Sequence, residues 1–297
     1  MSRHYINLQA QAEKLRRHNR QGSYKTRERY FEAYKRFLRF VGEVYHLEKL
    51  TNISGKHLSA YIEQMRLKGY SASTVKTDLA AIRFWHDRIS DAKYTLPSNG
   101  EFDLARRKFG GVDRAWSNAE FNRMLGECWK AEREDFEACI VIARYAGLRL
   151  HEVMRIDTAI ARAALRNGVL TIKGKGGKLR EVPIQETIRI ELEKFLKITP
   201  AGHKLFVQQG KQTHIAKTEL QNFIHSRRKF VQAPGSARPL TFHGLRHTYA
   251  QEQYQRFIEA GHSAEQARRE LSQLLGHERE DVTRIYLAGQ KGGDADV

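Results

Sequence analysis

The chain has 297 residues, 40% hydrophobic and 10% aromatic, with 52 Lys and Arg against 34 Asp and Glu for a formal net charge of +18. That length and apolar content allow two domains with cores of their own and exclude a disordered tail. The cationic surplus excludes an acidic scaffold and points to a polyanionic partner, nucleic acid first, while two cysteines exclude a disulfide framework and fit a reducing cytoplasm.

The opening stretch MSRHYINLQAQAEKLRRHNRQ is polar and basic and has no apolar centre of the kind a signal peptide needs. No apolar run approaches the ~18–20 residues of a membrane span. A cytoplasmic protein without a membrane partner is expected. The charge is uneven: residues 1–110 carry 22 basic side chains against 11 acidic, and residues 111–297 carry 30 against 23.

Residues 1–98 read as a small helical domain of three amphipathic helices with basic outer faces. Tyr30, Tyr34, Phe37, Leu38, Phe40 and Val41 recur near helical spacing, with Arg27, Arg29, Lys35, Arg36 and Arg39 between them. Ser54 suits the N-cap of a second helix holding Leu58, Tyr61, Ile62 and Met65, which Gly69 ends. Ser71 opens a third, with Val75, Leu79, Ile82 and Trp85 on its apolar side. Residues 99–114 break the pattern with Gly100, Gly110 and Gly111 around Arg106, Arg107 and Lys108, which predicts an interdomain linker able to lie along a phosphate backbone.

Residues 115–297 read as an α+β domain. A helix is expected near 118–132 and an apolar one over 136–145. Between 168 and 184 the period changes, and GVLTIK and LREVPI flank GKGGK as the two strands of a hairpin. From Leu220 onward the pattern is helical again, interrupted by a loop over 234–239. The fold class is therefore mainly α with a small antiparallel β-sheet.

Four separated segments offer polar groups that a core does not need. In ARYAGLRLHEV, Arg149 and Glu152 are three apart and share a helical face, so the guanidinium can be oriented before a ligand arrives. GKGGK places Lys175 and Lys178 at a glycine-rich tip. It is not a nucleotide-binding P-loop, because no Ser or Thr follows Lys178. In TFHGLRHTYA, His243 and Arg246 share a face with His247 beside them. In LLGHEREDVTRIYL, Tyr286 follows His277 by nine residues. A zinc site at His243, His247 and His277 is a poor alternative, since no paired acid accompanies the histidines.

In order, Arg, Lys, His-x-x-Arg, His and Tyr are the parts that phosphodiester cleavage by a tyrosine needs. Two arginines neutralise a phosphate as it becomes pentacovalent. A lysine or histidine protonates the departing oxygen. A tyrosine phenol ordinarily ionises near ~10, so it needs a base or a cationic field to attack at neutral pH.

With these boxes the chain resembles the tyrosine recombinases, specifically the Xer-like and phage or integrative-element integrases, over most of its length. The resemblance implies a SAM-like N-terminal helical bundle that closes with the catalytic domain around a duplex. It implies Tyr286 as nucleophile, Arg149, Arg246 and His277 as ligands of the scissile phosphate, and Lys175 as general acid to the 5′-hydroxyl. His243 would be a general acid/base and Glu152 a support for Arg149. It further implies a 3′-phosphotyrosyl intermediate, no cofactor or metal, and double-stranded DNA carrying specific recombination sites as partner. The expected assembly is a dimer per site and a homotetramer across two. Integration or excision of a mobile element is the expected role, in a system simple enough to lack an arm-binding domain. The interval from Arg246 to His277 is longer than in typical Xer-like members, and EAGHSAEQARRE is expected to form an extended helical excursion. Eleven residues follow Tyr286 as the tail LAGQKGGDADV, shorter than the segment that members of the family pass to a neighbour. A type IB topoisomerase shares the chemistry, and a non-catalytic DNA-binding module could share the fold. The N-terminal bundle favours the recombinase over the first, and the complete residue set disfavours the second.

Overall fold

The computed structural model describes residues 2–106, 112–174, 177, 179–235, 238–276 and 283–288. The chain divides into two compact units, Met1–Lys108 and Phe109–Val297.

Among the described residues the first unit contains four α-helices: α1 (Arg3–His18), α2 (Tyr24–Val44), α3 (Gly55–Leu67) and α4 (Ala72–His86). Sequence reading expected three. In α1 the apolar seam is only Tyr5, Leu8 and Ala12, all buried at spacings of three and four, and the surrounding charge and amide residues mask it. Ser2, Ser23 and Ser71 cap α1, α2 and α4 by accepting backbone N–H groups of the first turn. The core gathers Phe31, Tyr34, Phe37, Leu58, Ile62, Leu79 and Trp85. One polar tie crosses it: the Asp78 carboxylate of α4, 1% exposed, accepts from Arg36 of α2 at 2.7 Å and from the Tyr61 hydroxyl of α3 at 3.1 Å.

The second unit is helical around one hairpin. Its elements are α5 (Asn118–Lys130), α6 (Glu134–Ala146), a single turn α7 (Leu150–Val153), α8 (Thr158–Asn167), β1 (Val169–Lys173), β2 (Leu179–Pro183), α9 (Glu186–Ile198), α10 (Thr213–Val231), α11 (Phe242–Glu259) and α12 (Ala264–Leu275). A short 3₁₀ turn covers Ile285–Leu287. The strands pair antiparallel in the register Val169↔Pro183 to Lys173↔Leu179. This is the small antiparallel sheet expected in a mainly helical fold. The residues expected as a helical excursion form the end of α11, a turn and the start of α12.

Helix α6 is apolar on nearly every side, with Phe136, Cys139, Ile140, Ile142 and Ala143 fully or almost fully buried, so it serves as the central spar of the unit. It ends at Gly147, whose φ of +62° is left-handed. A Cβ there would lie 2.3 Å from the Tyr249 ring, so both the backbone and the space demand glycine. Gly244 in the first turn of α11 is needed for space alone, since a Cβ would meet the Arg114 carbonyl at 2.5 Å and the Trp116 indole at 2.6 Å. That close approach lets the Trp116 indole N–H donate to the Thr241 carbonyl at 2.9 Å, and the Trp116 backbone N–H donate to the Thr248 hydroxyl at 2.7 Å. Residues 114–116 and α11 are thereby locked together. No helix among the described residues is long and apolar enough to cross a membrane.

Candidate active site

Arg149 sits one residue before α7, where the chain leaves the left-handed turn at Gly147. Its backbone N–H donates to Glu152 Oε2 at 2.8 Å and its guanidinium to Glu152 Oε1 at 3.1 Å, so the expected pairing forms. Glu152 has a second and tighter partner that sequence reading passed over. Arg180 of β2 donates to both carboxylate oxygens, at 3.0 and 2.7 Å. Burial alone would push the Glu152 carboxyl up, but Arg180, the Arg149 N–H and nearby Arg246 outweigh it and hold the group down at about 2. The signal for Arg180 was present in the alternation of the strand: it shares the inward face of β2 with buried Val182, and an inward arginine demands a carboxylate.

Removing that carboxylate is costly. Glu152→Ala leaves Arg180, whose side chain is 8% exposed, as an uncompensated buried cation. Denaturant unfolding at pH 7 is expected to show a loss of about 3–5 kcal/mol, with Glu152→Gln losing less. Because the folded carboxyl titrates near 2 and an unfolded one near ~4.3, its contribution is complete above the unfolded value and fades as pH falls toward 2. The parent should therefore lose stability between about pH 5 and 2 more steeply than Glu152→Gln.

Helix α11 carries the densest set. Arg246 is 0% exposed, and its two Nη atoms donate at 2.6 Å to the carbonyls of Gly147 and Leu275. These carbonyls end α6 and α12, so two helix C-termini point their partial negative charge at one guanidinium. Burial, partly opposed by nearby Tyr286, lowers Arg246 to about 10, which leaves it cationic at neutral pH. Its guanidinium carbon lies 5.6 Å from the centre of the Tyr286 ring. Tyr286 is 5% exposed, and its hydroxyl is 3.4 Å from His243 Nε2. Lost solvation, then Arg246, Arg149 and Arg114, pull His243 down to about 4. His243 is thus neutral at pH 7 and able to accept a proton. His247, 1% exposed, lies with its ring centre 4.5 Å from that of Tyr286.

The structure therefore brings Arg149, Glu152, His243, Arg246 and Tyr286 together from segments as much as 137 positions apart in the numbering. Lys175 and His277 lie outside the described residues. So do Arg107, Lys108 and Lys178 of the expected DNA contacts, while Arg106 is described and exposed. Arg180, His247 and Gln251 were not singled out from the sequence as site residues. His247 stood out only beside Arg246 and as one histidine of the poor zinc alternative, and Gln251 carried no signal at all.

Comparison with known proteins bears on this site. The model described as "Phage integrase family" matches residues 117–292, and "Phage integrase, N-terminal SAM-like domain" matches residues 8–96. A tyrosine recombinase XerD of Bradyrhizobium diazoefficiens is 24% identical over 283 residues, covering 86% of this chain and 84% of the relative. A tyrosine recombinase XerC of Pseudomonas fluorescens is 27% identical over 270 residues, covering 86% and 84%. Among solved structures, a lambda integrase dimer bound to a COC′ core site aligns with a TM-score of 0.68 at 15% identity, covering 96% of this chain and 78% of that one. The XerH recombinase bound to palindromic difH substrate, post-cleavage, aligns at 0.66 with 20% identity, covering 95% and 81%.

Proposed function

Because the chain belongs to the phage integrase family, whose catalytic-domain model spans residues 117–292, we propose that it is a site-specific recombinase that cuts and rejoins DNA through a covalent bond to Tyr286. The observation that carries this reading is the meeting of the Tyr286 hydroxyl with neutral His243 at 3.4 Å beside the buried cation Arg246. That arrangement supplies a nucleophile, a proton acceptor and a stabiliser of phosphate charge in one place.

In the proposed step the Tyr286 oxygen bonds to phosphorus as the bond from phosphorus to the 5′-oxygen breaks. The phenolic proton passes to His243, and Lys175 supplies a proton to the departing 5′-oxygen. Arg149, Arg246 and His277 hold the two non-bridging oxygens, and Glu152 with Arg180 holds Arg149 in place. The strand remains on the enzyme as a 3′-phosphotyrosyl ester. Attack by a 5′-hydroxyl from another strand reverses each step and rejoins the backbone, so bond energy is conserved and no nucleotide is consumed. The domain division proposed with this function is a core-DNA-binding bundle at 1–98, a linker at 99–114 and the catalytic domain at 115–297. Arg106, Arg107, Lys108 and Lys178 contact the phosphate backbone. The protein acts in the cytoplasm on DNA carrying specific sites, as a dimer per site and a tetramer across two, in integration or excision of a mobile element.

The test is a duplex nicked just beyond the scissile phosphate, so that the short 5′-fragment diffuses away and the covalent complex accumulates. Peptide mapping of that complex should place the adduct on the peptide holding Tyr286, with a free 5′-hydroxyl on the released fragment. An adduct on any other tyrosine would overturn the assignment. Binding should also be salt-sensitive, log Kd changing with log salt at a slope of roughly 5 to 9 if ~6–10 phosphates are contacted.

A further inference from the structure

His243, His247 and Gln251 stand four residues apart along α11 and so form one stripe of that helix. The reaction proposed above uses only the first. His247 is 1% exposed, yet neither ring nitrogen has a hydrogen-bond partner among the described residues. Buried polar groups are nearly always paired, and a position chosen only for packing would hold an apolar ring. The ring it faces is that of Tyr286, at 4.5 Å between centres and tilted by 41°. Burial, then His243 and Arg114, holds the imidazole near 3, so it brings no positive charge beneath the phenol.

One turn further on, the Gln251 side-chain amide grips the main chain of the same segment. Its nitrogen lies 3.3 Å from both the Tyr286 and Ala288 carbonyls and 2.9 Å from the Asp113 carboxylate. A three-residue 3₁₀ turn has little rigidity of its own. Here the ring and the backbone that follows it are instead held by one face of a long helix.

We propose that His247 and Gln251 are positioning residues that together form a seat for the tyrosine nucleophile, His247 supporting the ring and Gln251 fixing the main chain around it. The proposal rests on the assignment of Tyr286 as nucleophile. It separates two tasks on α11: Arg246 and His243 act on the reacting groups, and the other two act only through Tyr286.

Gln251→Ala and His247→Phe, the latter keeping a ring in place, test this in the full chain. Three quantities are read: DNA affinity, the single-turnover rate of adduct formation on the nicked duplex, and cleavage of the same duplex by hydrogen peroxide, a small nucleophile that needs the phosphate site but no tyrosine. A displaced nucleophile should cut adduct formation about 10- to 100-fold, with affinity within about twofold and peroxide cleavage as in Tyr286→Phe. Adduct rates at or above the parent's overturn the seat. So does parallel loss of adduct and peroxide cleavage, which would mean that the phosphate site itself had collapsed. If Tyr286→Phe still forms an adduct, the nucleophile assignment fails instead, so the two failures are distinct.

Discussion

Tyr286→Phe is expected to bind DNA as tightly as the parent, within about twofold, and to form no covalent adduct on a nicked duplex, a fall of at least about 10⁴-fold. The two halves of this result have separate physical causes. Phe keeps the ring, and the ring is what packs: Tyr286 belongs to a small cluster with Tyr249, Tyr254, Leu271, Leu275 and Leu287. What it loses is one hydroxyl whose approach to His243, at 3.4 Å, is long for a hydrogen bond. The stability cost should be that of one hydroxyl group, about 0.5–1.5 kcal/mol. Affinity should persist because Arg149 and Arg246, the cations proposed to meet phosphate, are untouched. Chemistry should vanish because no other described hydroxyl takes the place of Tyr286 against His243 and Arg246. Measurement of adduct by gel shift under denaturing conditions, beside a binding isotherm at the same salt, checks both halves. A variant that loses affinity and adduct together would show that the ring, not the hydroxyl, had been the essential part.

The sequence disclosed the parts of this site better than their arrangement. The Arg149–Glu152 pair and the shared face of His243 and Arg246 were both legible from a spacing of three, although Arg149 meets Glu152 as the extended N-cap of α7 and not from a helical face. The hairpin was legible because period two is hard to mistake over five residues on each side of a glycine-rich turn. Helix α1 was not, since a seam of only three apolar residues among amides and arginines reads as a polar tail. The partner of Arg246 was invisible for a different reason. Its guanidinium bonds backbone carbonyls of residues 147 and 275, and carbonyls carry no sequence signature; only the glycines that end the two helices hint that chain ends converge there. Gln251 illustrates the same limit, because it too acts on main-chain oxygens. Side chains that pair with side chains can be found by pattern, whereas side chains that pair with backbone require the fold.

Arg246→Ala is expected to lose both activity and stability, and the structure indicates how to tell the two apart. The guanidinium closes the ends of α6 and α12, and its removal leaves the Gly147 and Leu275 carbonyls buried without that donor. At about 1–3 kcal/mol for each unsatisfied acceptor, unfolding should be easier by roughly 3–4 kcal/mol. Loss of a preorganised cation at the phosphate should separately cost about 10³-fold in the cleavage rate. Arg246→Lys keeps a charge but, as a single ammonium on a flexible stem, cannot bridge two carbonyls and a phosphate with a planar fork. It should recover part of the stability while remaining slowed by about 10²-fold or more. The decisive comparison is made at a temperature where both variants are still folded. Stability lost there changes the unfolded fraction by little, so a rate that stays low reports the phosphate contact itself. If Arg246→Lys cleaves at the parent's rate under those conditions, the residue is a structural clamp for two helix ends and the phosphate is held by others. The full burial of the Arg246 guanidinium beside the Tyr286 ring argues for the opposite outcome. A cation kept in a fully buried place, where solvation is lost and Arg149 and Arg180 oppose it, is expensive to maintain and gains most from an anion bound beside it.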